Sequence, residues 1–113
     1  MSNSETFEPL EPDRLGRLSR AFKALSNPNR LELFVQILRT HDAGYEAGHE
    51  CFIAEVMRRL EIGAPTVSHH LKELANAGLV STERRGRFVV ARPGSALLDE
   101  LRTLLAREID TKP

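Results

Sequence analysis

The fold of this chain is decided by residues 61–78, which read EIGAPTVSHHLKELANAG. Three apolar residues of this stretch recur at the spacing of one helical face, namely Val67, Leu71 and Leu74. A proline suits the first turn of a helix and a glycine its end, so we predict a helix from Ala64 or Pro65 up to Gly78. The turn before it contains Gly63 and follows a shorter amphipathic run. Two helices joined by such a turn predict a helix-turn-helix.

The outer face of the second of these helices is polar, as expected for a helix that enters the major groove of DNA. Hydroxyl, imidazole and ammonium groups can bind phosphates or base edges. We assign His69 to the groove and His70 to positioning or to a phosphate contact. The full set of predicted DNA contacts on this helix is Thr66, Ser68, His69, His70 and Lys72.

A β-hairpin is predicted directly after this helix. Two β-prone runs, LVST and FVVA, flank the polar turn ERRGR at residues 83–87. Arg84, Arg85 and Arg87 on such a protruding turn suit a wing that meets the phosphate backbone or the minor groove, where the negative potential is strongest. Taken singly, a polar helix face and an arginine-rich turn also describe solvated surfaces. Their occurrence one after the other favours DNA binding.

Helical periodicity on either side completes the predicted order of elements. The last helix begins near Ser95 and carries a stripe of leucines. We therefore predict a mainly α fold with a β-hairpin wing, a winged helix-turn-helix of the order ααααββα. The remaining expected segments are a first helix at 13–25, a second helix with apolar residues at 31–38, a loop at 41–50 and a third helix at 51–60.

Length and composition allow one domain. The chain has 113 residues with a formal net charge of zero, but residues 64–92 carry five basic residues against two acidic ones. We expect a flexible acidic arm at 1–12, a DNA-binding and dimerisation domain at 13–109 and a tail at 110–113. The single cysteine excludes a disulfide within the chain, and no stretch resembles a membrane span or a signal peptide, so a cytoplasmic location is expected.

Two stretches resemble the ArsR family of winged-helix repressors. Residues 24–31, ALSNPNRL, are similar to the start of that family's second helix. Residues 65–74, PTVSHHLKEL, followed by AGLV at 77–80, are similar to its recognition helix and the entry to its wing. The resemblance covers about residues 13–109. It implies a homodimer that binds double-stranded operator DNA, represses a nearby operon and is released by an inducer.

The resemblance also implies that the dimer forms through the first and last helices. The leucine stripe of the last helix agrees with this, because it is more apolar than a free surface helix requires. Packing within one chain is the alternative. The side chains we assign to the dimer interface are Leu15, Leu18, Phe22, Leu98, Leu101 and Leu105.

A metal or metalloid site is one possibility near Cys51, where the family's arsenic and cadmium sensors carry a Cys-x-Cys pair. The second position here is Ile53, and one thiolate does not make a soft-metal site. The side chains close enough in sequence to complete one are His41, Asp42, His49 and Glu50. A small core residue and a redox-active thiol are the alternatives for Cys51. The resemblance also implies a second possible sensing site, made of Asp and His residues on the last helix. The last helix of this chain contains no histidine, which argues against zinc or nickel sensing there.

Two other functional classes are alternatives to DNA binding. An enzyme would need Cys51 with His41 or His49 as its nucleophile and base, but the chain has no phosphate-binding loop and no nucleophile elbow. We therefore expect no enzymatic activity. A winged helix used only for protein contact is the second alternative, because a fold does not determine function.

Overall fold

Five helices and three strands make up the part of the chain that this computed structural model describes, residues 8–44, 51–61 and 63–110. This arrangement confirms the predicted mainly α fold with a β-hairpin. Among the described helices none combines the length and the apolar composition that crossing a membrane requires. The elements are α1 (Pro12–Leu25), α2 (Pro28–Gly44), β1 (Cys51–Phe52), α3 (Ile53–Leu60), α4 (Ala64–Asn76), β2 (Val80–Arg85), β3 (Phe88–Pro93) and α5 (Ser95–Asp110).

The junction between α1 and α2 is held by side-chain caps. The Asn27 side-chain oxygen accepts hydrogen bonds from the backbone N–H groups of Asn29, at 2.9 Å, and Arg30, at 3.1 Å. This satisfies two N–H groups that the first turn of α2 leaves without a helical partner. Arg30 Nε in turn donates to the carbonyl oxygen of Ala24 at 2.7 Å, near the end of α1. The two helices are therefore joined in a defined geometry.

The sheet has one more strand than the sequence predicted. Strands β2 and β3 form the expected antiparallel hairpin, with Arg85 opposite Phe88 and a turn at Gly86, whose φ is +62°. Strand β1 pairs with the other edge of β3, where Cys51 lies opposite Ala91. The prediction of helix from residue 51 was thus wrong for its first two residues, because their backbone groups pair with β3 instead.

Helix α2 is also longer than predicted. It continues to Gly44, so the expectation of a loop at 41–50 was wrong for residues 41–44, and residues 45–50 lie outside the described part. The hydroxyl of Thr40 donates to the carbonyl oxygen of Gln36 at 2.8 Å, a bond that helices accommodate. The helical hydrogen bonds of α2 therefore extend beyond the last apolar residue of the repeat from which its end was predicted.

The core lies between the helices and the inner face of the hairpin. Leu18 and Leu101, which we predicted in the dimer interface, are 3% and 8% exposed and belong to this core. They face inward because α1 and α5 pack on the same chain, so they are not available to a partner. Leu10, from the predicted arm, also packs against the core. The largest fully buried side chains are Leu33, Ile37, Val67, Leu74, Leu79 and Val90.

The base of the hairpin is locked to the end of α4. Gly78 has a φ of +81°, a left-handed conformation that favours glycine. The N–H of Gly94 donates to the carbonyl oxygen of Leu79 at 2.8 Å. A Cβ atom at Gly94 would lie only 2.1 Å from the carbonyl oxygen of Gly78, so this close approach needs glycine. The orientation of the hairpin relative to α4 is set here.

Candidate nucleic-acid interface

Helices α3 and α4 form the helix-turn-helix. Glu61, in the turn, has a φ of +55°, which is uncommon for a residue other than glycine. Gly63 precedes α4 in an extended conformation and accepts the first helical hydrogen bond, from the N–H of Val67 at 3.1 Å. Ile53 and Val56 of α3 are buried, as is Val67. The shared core therefore fixes the position of α4 relative to α3.

Helix α4 has one buried and one exposed face. Val67, Leu71 and Leu74 are buried, as the spacing predicted. The opposite face is polar and exposed over more than two turns of helix. Its exposed residues are Pro65, Thr66, Ser68, His69, Lys72 and Asn76. Four of the five predicted contacts on this helix thus lie on one accessible surface.

His70 is the exception, because it lies on the buried face. Its side chain is 7% exposed, and neither ring nitrogen has a hydrogen-bond partner among the described residues. Burial lowers the pKa of His70, and the nearby charges of Arg30 and His69 lower it further. His70 follows Val67 by three residues and precedes Leu74 by four, a spacing that could have indicated its burial. We leave it out of the exposed contact surface.

The three arginines of the hairpin have different surroundings. The Glu83 carboxylate accepts hydrogen bonds from Arg92 at 2.8 Å and from Arg85 Nε at 3.2 Å, and these bonds hold its pKa below the usual range. The guanidinium carbon of Arg87 lies 5.4 Å from the centre of the Phe88 ring, within cation–π distance. Neither Arg84 nor Arg87 pairs with a carboxylate among the described residues. Arg85 therefore shares an acidic neighbour, whereas Arg87 rests on an aromatic ring.

A second surface is formed by α1 and α5. The Glu100 carboxylate accepts hydrogen bonds from Arg14 at 3.2 Å and from Arg17 at 3.0 and 2.8 Å. The hydrogen bond from Arg17 lowers the pKa of Glu100, and the same bond raises the pKa of Arg17. These contacts connect α1 to α5 at Glu100. Apolar side chains remain exposed on the same two helices, namely Leu15, Phe22, Leu105 and Ile109.

The predicted dimer residues divide between this surface and the core. Leu15, Phe22 and Leu105 are exposed, and Leu98 is half-buried. Leu18 and Leu101 belong to the core, as described above. Ile109 is exposed in the last turn of α5 but was not in the predicted interface. Its position four residues after Leu105 was the signal that could have included it.

The side chains of the candidate metal ligands lie outside the described part of the chain. His49 is not among the described residues, and for His41 and Cys51 only the backbone is described. Within the described part, no three His, Cys, Asp or Glu side chains come together to hold a metal ion. The metal site near Cys51 stays a prediction.

Comparison with known proteins identifies the family. A family model described as "Bacterial regulatory protein, arsR family" matches residues 47–82. The chain is 30% identical over 96 residues to an uncharacterized HTH-type transcriptional regulator, YbzH, of Bacillus subtilis (strain 168), covering 78% of this chain and 94% of the relative. It is 28% identical over 72 residues to the transcriptional repressor SdpR of the same strain, covering 64% of this chain and 70% of the relative.

Solved structures share the architecture. One of them is the homodimeric winged helix-turn-helix DNA-binding domain Mb0332 from Mycobacterium bovis, with 20% identity and a TM-score of 0.58. The match covers 93% of this chain and 96% of that one. At this identity the likeness concerns the fold alone. The family model and the sequence relatives identify the chain as a DNA-binding transcriptional regulator of the ArsR family.

Proposed function

We propose that this chain is a homodimeric repressor that binds an inverted-repeat operator and acts by binding rather than by catalysis. The observation that carries the proposal is the two-sided structure of α4. Its apolar face is anchored in the core, and its polar face is exposed beside a wing that carries arginines. The similarity to a named transcriptional repressor supports the sign of the regulation. Residues 13–109 would contain both the DNA-binding and the dimerisation surface.

The recognition helix supplies the contacts that distinguish sequences. Ser68 and His69 are exposed, and their side chains can donate to and accept from base edges in the major groove. Thr66 and Lys72 flank them and suit phosphate oxygens. In this proposal Ser68 and His69 determine which sequence is preferred, whereas Lys72 contributes affinity for any sequence.

The wing supplies contacts to the backbone and the adjacent minor groove. Arg87 is the arginine best prepared for this role, because the ring of Phe88 supports its guanidinium group without neutralising its charge. Arg84 is exposed on β2 and adds a second positive charge. Arg85 contributes less in this proposal, because Glu83 offsets part of its charge.

Dimerisation places two recognition helices on one operator. The exposed apolar side chains of α1 and α5 would be buried by the same surface of a second copy, since a two-fold interface uses one patch on both subunits. The homodimeric state of the Mycobacterium bovis domain supports this arrangement. Two such helices would enter successive major grooves about 34–36 Å apart, which requires an inverted repeat.

The proposed inducer acts at the segment between α2 and α3. A ligand releases DNA only if it binds better to a dimer whose recognition helices are misplaced. Strand β1 connects this segment to the wing, because Cys51 lies opposite Ala91 of β3. A change at Cys51 would thus reach the wing through one strand pair. Cys51→Ser should weaken the response to a thiol-reactive or metal inducer, and a full response in this variant would contradict the placement.

The experiment that tests the function is a fluorescence-anisotropy titration of DNA from upstream of the chain's own gene, with a scrambled duplex as competitor. Ser68→Ala and His69→Ala should change the preferred sequence, and Thr103→Ala, which removes an exposed hydroxyl from α5, should leave it unchanged. The titration is repeated with arsenite, cadmium, zinc and peroxide. Absence of specific binding by the parent protein would favour the protein-contact alternative.

A further inference from the structure

Three basic side chains meet at the junction between α1 and α2. Arg20, Lys23 and Arg30, which we call the junction cluster, line an open hollow of about 250 Å³. The opposite wall belongs to the recognition helix and includes Glu73 and Asn76. The hollow therefore joins the basic junction to the C-terminal half of α4.

The charges of the junction cluster are not neutralised. Among the described residues, none of its three side chains forms an ion pair, including with the carboxylate of Glu73 across the hollow. Arg20 and Lys23 are exposed. Arg30 is half-buried and is held in place by its bond to the Ala24 carbonyl oxygen, which leaves its charge intact. Three positive charges thus face one negative charge.

The hollow continues the exposed face of α4. Glu73 follows His69 by four residues, and Asn76 follows Lys72 by four, so each lies one turn further along the same side of the helix. A helix with its side chains is about 10–12 Å wide and fills a major groove of about 12 Å. The phosphates of the strands that border the groove then run along both flanks of α4, and one flank is the hollow.

We propose that the junction cluster binds backbone phosphates of the DNA strand beside α4. The α1–α2 junction is then a third DNA contact in addition to the recognition helix and the wing. This inference rests on the proposed DNA-binding function. DNA is favoured over a small free anion because the hollow is open, and because it adjoins the one helix face that would already be in contact with DNA.

The test removes charge from the cluster while leaving the cap of α2 intact. Arg20→Gln and Lys23→Gln are made singly and together, since Arg30 also holds the end of α1. Arg39→Gln is the matched control, because it removes the same charge from the exposed side of α2, about 14 Å along the helix from Arg30. The readout is operator affinity by anisotropy at several salt concentrations.

Each lost phosphate contact should flatten the slope of log affinity against log salt by about 0.9. The double variant should therefore flatten it by about 3.6 in a homodimer, and weaken binding at low salt by at least about tenfold. Arg39→Gln should retain the parent slope. The preference for operator over scrambled DNA should not change in any of these variants, because phosphates carry no sequence information directly.

Ethylation interference gives an independent readout. Ethylated phosphates beside the half-site should impair binding of the parent protein but not of the double variant. The inference would be overturned if the double variant kept the parent salt slope and the parent interference pattern. It would also be overturned if the parent protein bound inorganic phosphate saturably and the double variant lost this binding while its salt slope for DNA stayed unchanged. If the parent protein binds no DNA, the proposed function fails, and this inference fails with it.

Discussion

The molecule presents two surfaces that treat charge in opposite ways. On the side of α4 and the wing, Lys72, Arg84 and Arg87 are exposed and have no carboxylate partner among the described residues. On the side of α1 and α5, the large apolar side chains of Leu15, Phe22, Leu105 and Ile109 are exposed. On the same two helices, the Glu100 carboxylate pairs with both Arg14 and Arg17. The first surface keeps its charge available to a polyanion, whereas the second pairs Arg14 and Arg17 within the chain beside exposed apolar side chains.

This difference follows from what each surface is proposed to bury. An interface with DNA gains affinity by replacing the counterions of the phosphates, which requires free positive charge. An interface with a second copy of the chain brings like charges together, so unpaired charges would cost free energy there. A chain with zero net charge can serve both purposes because the net charge does not determine where unpaired positive charge lies on the surface.

The largest expected effect comes from placing charge on the apolar surface. Phe22→Asp combined with Leu105→Asp should produce monomers in analytical ultracentrifugation, because two carboxylates would be buried opposite their own copies. Operator affinity should then fall by about 10²–10⁴-fold, since binding of one subunit to its half-site no longer holds a second subunit close to the other half-site. Leu31→Asp is the control, because Leu31 is 45% exposed on α2, comparable to 47% for Leu105. A dimeric double variant would refute the interface.

The next effect concerns the close approach of Gly94 to Gly78, which holds the base of the hairpin to the end of α4. Gly94→Ala should lower the free energy of unfolding by about 2–3 kcal/mol, because the new methyl group meets the Gly78 carbonyl oxygen. Gly16→Ala is the contrasting control, since its Cβ would lie 3.5 Å from Arg20 and alanine favours helix by about 1 kcal/mol over glycine. Urea denaturation followed by circular dichroism measures both. Equal stability of the two variants would contradict the close approach.

A smaller effect should separate the arginines of the wing. Arg87→Ala should weaken operator binding by about tenfold and flatten the salt slope by about 0.9 per wing. Arg85→Ala should do less, because Glu83 already offsets part of its charge. Operator affinity of both variants is measured by anisotropy between about 50 and 200 mM salt, where the affinity of DNA-binding proteins falls steeply with salt. Equal effects of the two substitutions would show that the Glu83 pair does not matter for DNA binding.

The smallest effect concerns His70, on the buried side of the recognition helix. Its pKa is lowered by burial, so below the ordinary value of about 6.5 the unfolded chain binds a proton that the folded chain excludes. The free energy of unfolding should therefore fall as the pH falls from 7 to 5, by at most about 1.4 kcal/mol per pH unit. His70→Leu should flatten this dependence, and His69→Gln should retain most of it, because burial is the largest cause of the lowered pKa of His70. Urea midpoints at pH 7, 6 and 5 provide the measurement.

Local patterns were sufficient to predict the central part of the fold. The spacing of Val67, Leu71 and Leu74 correctly predicted the buried face of α4, and the alternation of β-prone runs with a glycine turn correctly predicted the hairpin. The errors occurred at Cys51–Phe52 and at residues 41–44. The strand at 51–52 exists only because β3 is available to pair with it, and no pattern within two residues reports a partner about forty positions away.

The sequence predicted the DNA-contact surface and the dimer surface less completely than it predicted the order of helices and strands. Sequence spacing placed Ser68, His69 and Lys72 on one face, which the structure also places in the open. It did not separate His70 from them, because a histidine is compatible with either environment and only the packing against α2 decides between them. The same holds for Leu18 and Leu101, since a leucine stripe on a helix is equally suited to the core and to a partner subunit.

The sequence by itself determined the elements whose signals are local: the amphipathic helices, the glycine turn of the wing and the polar face of α4. These depend on hydrogen bonds and side-chain periodicity over a few residues. Tertiary structure alone decided which side chains of each helix remain exposed, which arginines find a carboxylate, and that Arg20, Lys23 and Arg30 meet beside the recognition helix. Those outcomes depend on distances between residues far apart in the chain, which only the packed core sets.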